Sequence, residues 1–264
     1  MKTYYTISEI GKILGLTSDT IRFYEKKGLV HPSINPNNKY RMYTMMNVLE
    51  LLDVIYYRHL GVPVSDIYSL SLTSQPSDIM ELIDKKEEET KRRIYYETQL
   101  LKKIEHIKST FHKIESNENV CSIQYFNESM ILCEGKEHID FFAHDIQYMS
   151  QDQFVLGAFY VHYTVDSNGL NQQRTFVLME TSVVQEMNMS IEKDASFIPL
   201  QKCIYLAVKM NQGKISFEDV KPMLEFAKLE KYEITGDCLV REIPITFYKD
   251  FDHYYAEIFL PIKS

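Results

Sequence analysis

The chain has 264 residues, 45% of them apolar and 25% charged, with a formal net charge of -8. That is room for two average domains with real cores, an ordinary soluble globular composition rather than a disordered or fibrous one. No apolar run approaches the length of a bilayer span and the start MKTYYTISEI lacks the apolar centre of a secretory signal, so no membrane partner and a cytoplasmic location are expected.

The acidic total hides a basic N-terminus: residues 1–45 carry seven Lys and Arg against three acids, the local footprint of a nucleic-acid partner. TISEIGKIL, residues 6–14, predicts a short helix capped by Thr6 or Ser8, with Ile7, Ile10, Ile13 and Leu14 on one face and Gly15 as its stop. Leu16 plugs a tight turn, and Thr17 and Ser18 offer caps for a second helix over 19–27 whose Ile21 faces back to the first. Period and punctuation together predict a helix-turn-helix. Its outward face brings together Thr17, Ser18, Thr20, Arg22, Tyr24 and Lys26, hydroxyl, guanidinium, phenol and ammonium donors of the kind used on phosphates and base edges. Gly28 ends the helix. Residues 31–42 then predict a two-stranded wing with its tip at Asn35-Pro36-Asn37-Asn38 and with Lys39, Tyr40 and Arg41 beside the preceding helix.

At this point a family resemblance is specific. Arg22-Phe23-Tyr24-Glu25-Lys26-Lys27-Gly28-Leu29, then Pro32, Tyr40-Arg41-x-Tyr43, a helix over 44–60, Gly61 and a short helix over 64–70 together resemble the DNA-binding module of the MerR family of transcription regulators. The resemblance implies a winged helix-turn-helix over residues 1–75 acting on double-stranded promoter DNA beside RNA polymerase. Where many members have Gly before the Tyr-Arg pair this chain has Lys39, and Asn38 is expected to take the left-handed position instead. Arg58 and His59 at the end of the 44–60 helix are expected to cap carbonyls rather than touch phosphate.

Residues 78–116 contain neither Gly nor Pro, and Leu100, Ile104, Ile107, Phe111 and Ile114 alternate steps of four and three. Extending that register backward meets polar residues, so only the C-terminal half of a long helix over 76–118 carries an apolar seam. A second copy of the chain is the economical partner, which predicts a homodimer; the alternative is a helix lying on its own C-terminal domain.

Beyond 119 the composition turns strand-like, with predicted strands over 121–126, 130–134, 154–163, 174–184, 202–210, 238–247 and 254–262 and helices over 137–149 and 216–228. The order strand, helix, strand, strand occurs twice, which predicts an α+β fold in which a duplicated βαββ unit, residues 119–264, forms one antiparallel sheet with a face left free for a cavity. On the last strand Tyr255, Glu257 and Phe259 share a face by alternation, so a carboxylate stands among rings. It must be solvated, paired, or open to a cation.

Tyr254-Tyr255-Ala256-Glu257 after a duplicated unit resembles the effector domain of the multidrug-binding MerR branch, itself similar to gyrase-inhibitor-like domains. The resemblance implies that Glu257 lies at the base of an aromatic pocket for lipophilic cations, with Phe176 and either Tyr160 or Phe159 as candidate rings. The expected function is a ligand-responsive, dimeric transcription activator that distorts promoter DNA, not an enzyme. Two alternatives stand beside it: a small-molecule hydrolase in the C-terminal half, and a metal or redox sensor. Cys121, Cys133, Cys203 and Cys238 are scattered without a Cys-x-x-Cys or Cys/His cluster, so no metal and no cofactor is expected.

Overall fold

A computed structural model describes residues 3–73, 75–116, 120–135, 146–166, 169–191, 194–210, 215–243 and 254–263. The chain divides into two compact units, Met1–Lys91 and Arg92–Ser264.

In the first unit, α1 (Ile7–Leu14) starts on a capping box in which Thr6 Oγ1 accepts from the Glu9 amide and the Glu9 carboxylate accepts from the Thr6 amide. It stops at Gly15, whose φ of 68° is the left-handed cap. Thr17 caps α2 (Ser18–Lys26) by accepting from the Thr20 amide at 3.1 Å. Ile10 and Ile21 are fully buried where the two helices meet. Gly11 makes the turn between them possible: its carbonyl accepts from the Leu16 amide at 2.9 Å, and a Cβ on Gly11 would stand 2.6 Å from the Leu16 carbonyl oxygen.

The wing follows as β1 (Ser33–Ile34) antiparallel to β2 (Arg41–Met42). Its left-handed residue is Lys39, with φ of 61°, not Asn38. The reason is local: the Lys39 amide closes the turn on the Asn35 carbonyl at 2.9 Å, while the Asn38 side chain accepts from the Tyr40 amide at 3.0 Å. Just past the wing, paired backbone bonds between Tyr5 and Tyr43 tie the residues before α1 to the end of the wing. α3 (Met45–His59) and α4 (Val64–Thr73) complete the unit, with Leu51, Val54, Val62 and Ile67 in one core with Ile10 and Ile21. Arg58 donates to the Val62 carbonyl at 2.7 Å, so it caps its own helix end.

α5 runs unbroken over Pro76–Glu115. After it, the second unit is an eight-stranded antiparallel sheet in the order β3-β8-β10-β9-β5-β6-β4-β7. The strands are β3 (Ser122–Phe126), β4 (Ser129–Gly135), β5 (Ala158–Asp166), β6 (Gly169–Glu180), β7 (Phe197–Ile198), β8 (Gln201–Met210), β9 (Asp237–Ile243) and β10 (Tyr254–Pro261). The duplication is visible in that order: β4-β6-β5 from one edge mirrors β8-β10-β9 from the other, and β5 meets β9 at the centre. Among the described residues, the α-helices between strands are α6 (Gln151–Leu156), α7 (Thr181–Glu186) and α8 (Phe217–Leu229).

Two expectations are corrected, and a third lies largely outside the described residues. Residues 154–156 are helical, because Ser150 and Gln153 form a capping box that starts α6 there, and the strand begins at Ala158. The strand expected over 174–184 begins at Gly169 and gives way to α7 after Glu180. Of the helix expected over 137–149, a 3-10 turn at Ile146–Tyr148 is described, and 137–145 lie outside the described residues, as do 244–247 of the expected sixth strand.

β10 is buried along its whole length, because both faces of the sheet are covered there. On one face Val220, Met223 and Ala227 of α8 pack on Ile204, Leu206, Ala256, Ile258 and Leu260. On the other, Phe126, Tyr160, Phe176, Tyr205, Leu239 and Phe259 cluster, with Ile114 of α5 against them. Among the described residues no helix is long and apolar enough to cross a membrane.

The Gly11 contact is directly testable. Gly11→Ala pushes a methyl group into a backbone oxygen and is expected to destabilise the first unit by about 1–3 kcal/mol, read by urea unfolding. An unchanged midpoint would mean the turn yields freely.

Candidate ligand pocket and nucleic-acid interface

In the first unit, α2 and the wing present one cation-bearing surface. Thr17, Arg22, Lys26, Lys39, Tyr40 and Arg41 are exposed and Ser18 and Thr20 half-buried, so eight of the nine expected contacts reach solvent. Tyr24 does not. It is 8% exposed and packs with Ile21, Leu29 and Tyr43, because it falls on the same helix face as Ile21; the phenol belongs to the core, and Phe23 is the exposed ring.

Arg41 is held in place. Its Nε donates to both carboxylate oxygens of Glu25, at 2.9 and 2.7 Å, which raises the Arg41 pKa and fixes the wing against α2. Arg22 pairs with Asp19 at 3.0 Å within its own helix, an exposed contact worth little by itself.

In the second unit, register builds a row of side chains across five strands. Phe176 on β6 faces Tyr160 on β5, Tyr160 faces Arg241 on β9, Arg241 faces Glu257 on β10, and Glu257 faces Ala207 on β8. Glu257 has no solvent exposure. Its Oε1 accepts from the Tyr205 hydroxyl at 2.8 Å and meets His106 Nε2 of α5 at 2.8 Å, and its Oε2 lies 3.3 Å from the Arg241 guanidinium. Burial alone would raise this carboxyl, but the His106 hydrogen bond, the Arg241 charge and the Tyr205 hydroxyl together hold it below its ordinary value. Burial likewise opposes the Arg241 cation, and the surrounding negative charges and hydroxyls more than offset it.

Beside this row lies a cavity of about 640 Å³. Tyr160, Phe126 and Phe259 form its ring wall, with centroids 5.4–6.4 Å apart. Tyr95, Gln99, Lys102, Lys103 and His106 reach it from α5, Arg241 from the sheet, and Glu180 and Glu186 stand on the side of α7. The Lys103 ammonium donates to the carbonyls of Val155 and Gly157, and burial, then Arg241, lowers its pKa to about 8.

Of the residues expected at a ligand, Tyr160 and Phe259 line this cavity. Glu257 sits behind Arg241 and His106 and is not part of the lining. Tyr255 packs on Phe111 and donates to Glu115 at 2.7 Å, and Phe176 lies between His162 and Arg174 in the same face of the sheet. Phe159 alternates to the other side from Tyr160 and meets Phe154. Sequence reasoning missed Arg241, Lys103 and His106. The signal for Arg241 was a lone cation inside CLVREI, uninterpretable until its cross-strand partner is known. For Lys103 and His106 it was a polar stripe one residue away from the apolar seam. The four cysteines are free, and burial raises the thiols of Cys203 and Cys238 to about 12, which leaves them unreactive.

Residues 5–71 match the MerR HTH family regulatory protein model. The HTH-type transcriptional regulator CueR of Escherichia coli O157:H7 is 49% identical over 55 residues, 21% of this chain and 41% of that protein. The multidrug-efflux transporter 2 regulator of Bacillus subtilis (strain 168) is 27% identical over 138 residues, 52% of this chain and 50% of that protein. The chain thus spans about half the length, or less, of these curated relatives. Among solved structures, one of an EcmrR–DNA complex aligns over 98% of this chain and 100% of that chain with a TM-score of 0.41 and 17% identity. A hydrolase from Listeria innocua aligns over 55% of this chain and 92% of its own with a TM-score of 0.37 and 9% identity.

Glu257→Gln leaves Arg241 buried opposite a neutral amide and is expected to lower stability by about 3–5 kcal/mol. Because the native carboxyl titrates below its ordinary value, its contribution is present above the unfolded-state carboxylate range and is lost as pH falls through the lowered native value. Unfolding curves of the two proteins should therefore differ near neutrality and converge in acid; a constant difference at all pH values would show that charge is not what is lost.

Proposed function

We propose, from the premise that residues 5–71 are a MerR-family helix-turn-helix, that the chain is a DNA-binding transcription regulator whose second unit senses a small molecule. The observation that carries it is the coupled surface of α2 and the wing, where Arg41 is locked to Glu25 and stands with Tyr40, Lys39, Arg22 and Lys26 in reach of a phosphate backbone.

The reading includes a homodimer. Ile94, Leu101 and Ile104 of α5 are 63%, 55% and 47% exposed, apolar surface that a second copy would cover. Leu100 and Ile107 are half-buried next to them, while Phe111 and Ile114 are already engaged by the chain's own sheet, so the seam left for a partner is short. A two-fold dimer matches a pseudo-palindromic promoter. Activation would proceed by distorting the promoter spacer so that polymerase elements come into phase. Bending a short site costs about 1–6 kcal/mol, comparable with the coupling of about 1–3 kcal/mol available from a ligand switch.

The ligand would be hydrophobic, received by Phe126, Tyr160 and Phe259. A cationic one would reach Glu257 only by displacing His106. An enzymatic reading of the cavity would use the His106–Glu257 pair as base and orienter; recovery of a bound probe unchanged, by mass spectrometry, speaks for sensing.

The nucleic-acid half of the proposal is tested by a salt series. Arg22→Ala and Arg41→Ala should each weaken promoter-fragment binding and reduce the log–log salt slope by about 1, whereas Glu25→Gln, which frees Arg41 without removing it, should keep the slope. Slopes unchanged in both arginine variants would remove these residues from the interface.

A further inference from the structure

We propose that the cavity of the second unit takes an amphipathic monoanion, a flat apolar body bearing one carboxylate, with the carboxylate held by Lys103 and Arg241 and the body against Phe126, Tyr160 and Phe259. This rests on reading that cavity as the effector site and names the charge class of its ligand.

Glu257 has no exposure, and both of its oxygens face partners inside the protein, so the carboxylate that would attract a cation is already supplied with one. What the inner wall offers instead is positive charge. Lys103 and Arg241 both line the cavity. Arg241 shares its charge with Glu257, but Lys103 has only the carbonyls of Val155 and Gly157, and among the described residues no carboxylate is paired with it. An ammonium has three donors, so one remains for a ligand. A half-buried cation surrounded by dipoles and by another cation is short of counter-charge, which is the physical content of its lowered pKa.

The ring wall is uncharged and suits a flat partner by edge and face contacts. Glu180 and Glu186 also line the cavity, but both are exposed and remain hydrated, so they attract weakly. Their weak field adds a small bias against a second negative charge, and the stronger, half-buried charges of Lys103 and Arg241 set the orientation of the first.

Anion binding should raise the Lys103 pKa. Binding strength is then fully present below the free value of about 8 and falls as pH rises above it, by up to about tenfold per unit. The groups around Lys103 are Arg241 on β9, Glu257 on β10, Tyr160 on β5, Tyr205 on β8, Glu180 and Glu186 beside α7, and His106 and Lys102 on α5. Glu257 is held below and Arg241 above its ordinary value, and Tyr160 and Tyr205 are pushed up, Tyr160 to about 12, so none of these four changes charge between pH 7 and 9. His106 is controlled by His106→Gln.

The experiment is calorimetric titration of the full chain with three shape-matched probes, 2-naphthoate, 2-naphthamide and 2-naphthylmethylammonium, at pH 7 and pH 9. The expected result is naphthoate binding at least tenfold more tightly than the amide at pH 7, with the advantage shrinking several-fold at pH 9 in the native chain and in His106→Gln. Lys103→Gln should bring naphthoate down to about the affinity of the amide, and Lys103→Arg should retain the advantage at pH 9, since arginine stays charged. Tightest binding of the ammonium probe, or equal binding of all three, overturns the charge assignment while leaving the cavity as a ligand site. Failure of all three to bind overturns the effector reading of the cavity itself.

Discussion

A carboxylate with no solvent exposure, placed opposite a guanidinium on the neighbouring strand, is the constraint around which the second unit is built. Neither charge is tolerable there alone, since the penalty for burying an ion is several kcal/mol even after relaxation. Glu257 therefore fixes more than its own position. It requires β9 to present Arg241 at the matching register, β8 to present Tyr205 two pairs away on the same face, and α5 to lay His106 across the sheet. A slip of one residue in β10 would turn Glu257 toward α8 and its apolar packing of Val220 and Met223, with no partner for the charge. Register, helix placement and cavity floor are thus one requirement seen from three elements.

The same constraint explains which parts of the molecule could be read from the sequence. Local chemistry was legible: Thr6, Gly15, Thr17 and Gly28 punctuate α1 and α2 through contacts within a few residues, and the strand-helix-strand-strand order repeats in the chain as it does in the sheet. Alternation correctly put Tyr255, Glu257 and Phe259 on one face. What was not legible depended on contacts between distant segments. Arg241 acquires its meaning from Glu257 sixteen positions later, and His106 from the same residue across 151 positions. Tyr24 shows a related limit: a phenol reads as a donor on an outward face until its angular position next to Ile21 is known, and then it is core. At the wing tip, Asn38 was favoured for the left-handed position on intrinsic preference, but its side chain was committed to the Tyr40 amide and the strain passed to Lys39.

α5 carries two stripes about one residue apart around its axis. Tyr95, Gln99, Lys103 and His106 follow one side into the cavity, and Leu101 and Ile104 point elsewhere. The apolar register counted in the sequence therefore captured only part of the helix's obligations. Its last members, Phe111 and Ile114, are drawn onto the sheet, where Tyr255 and the Phe126–Phe259 cluster bury them. A helix that must satisfy its own sheet and also leave an apolar strip open cannot keep one uniform seam.

That arrangement also determines where a bound ligand can act. A ligand shifts an equilibrium only by contacting two states differently, and the charged cavity side chains that are not anchored in the sheet come from α5 and the start and end of α7. On α5 these include Lys103, pinned to Val155 and Gly157, and His106, pinned to Glu257. An anion at Lys103 would take the ammonium's third donor and leave the Val155, Gly157 and His106 contacts in place; a cation at Glu257 would have to break the His106 contact and compete with Arg241. The first change adds a charged bond to two dipolar ones. The second must pay for exposing a guanidinium to an occupied pocket, and the geometry of the row makes it the harder way to move the helix.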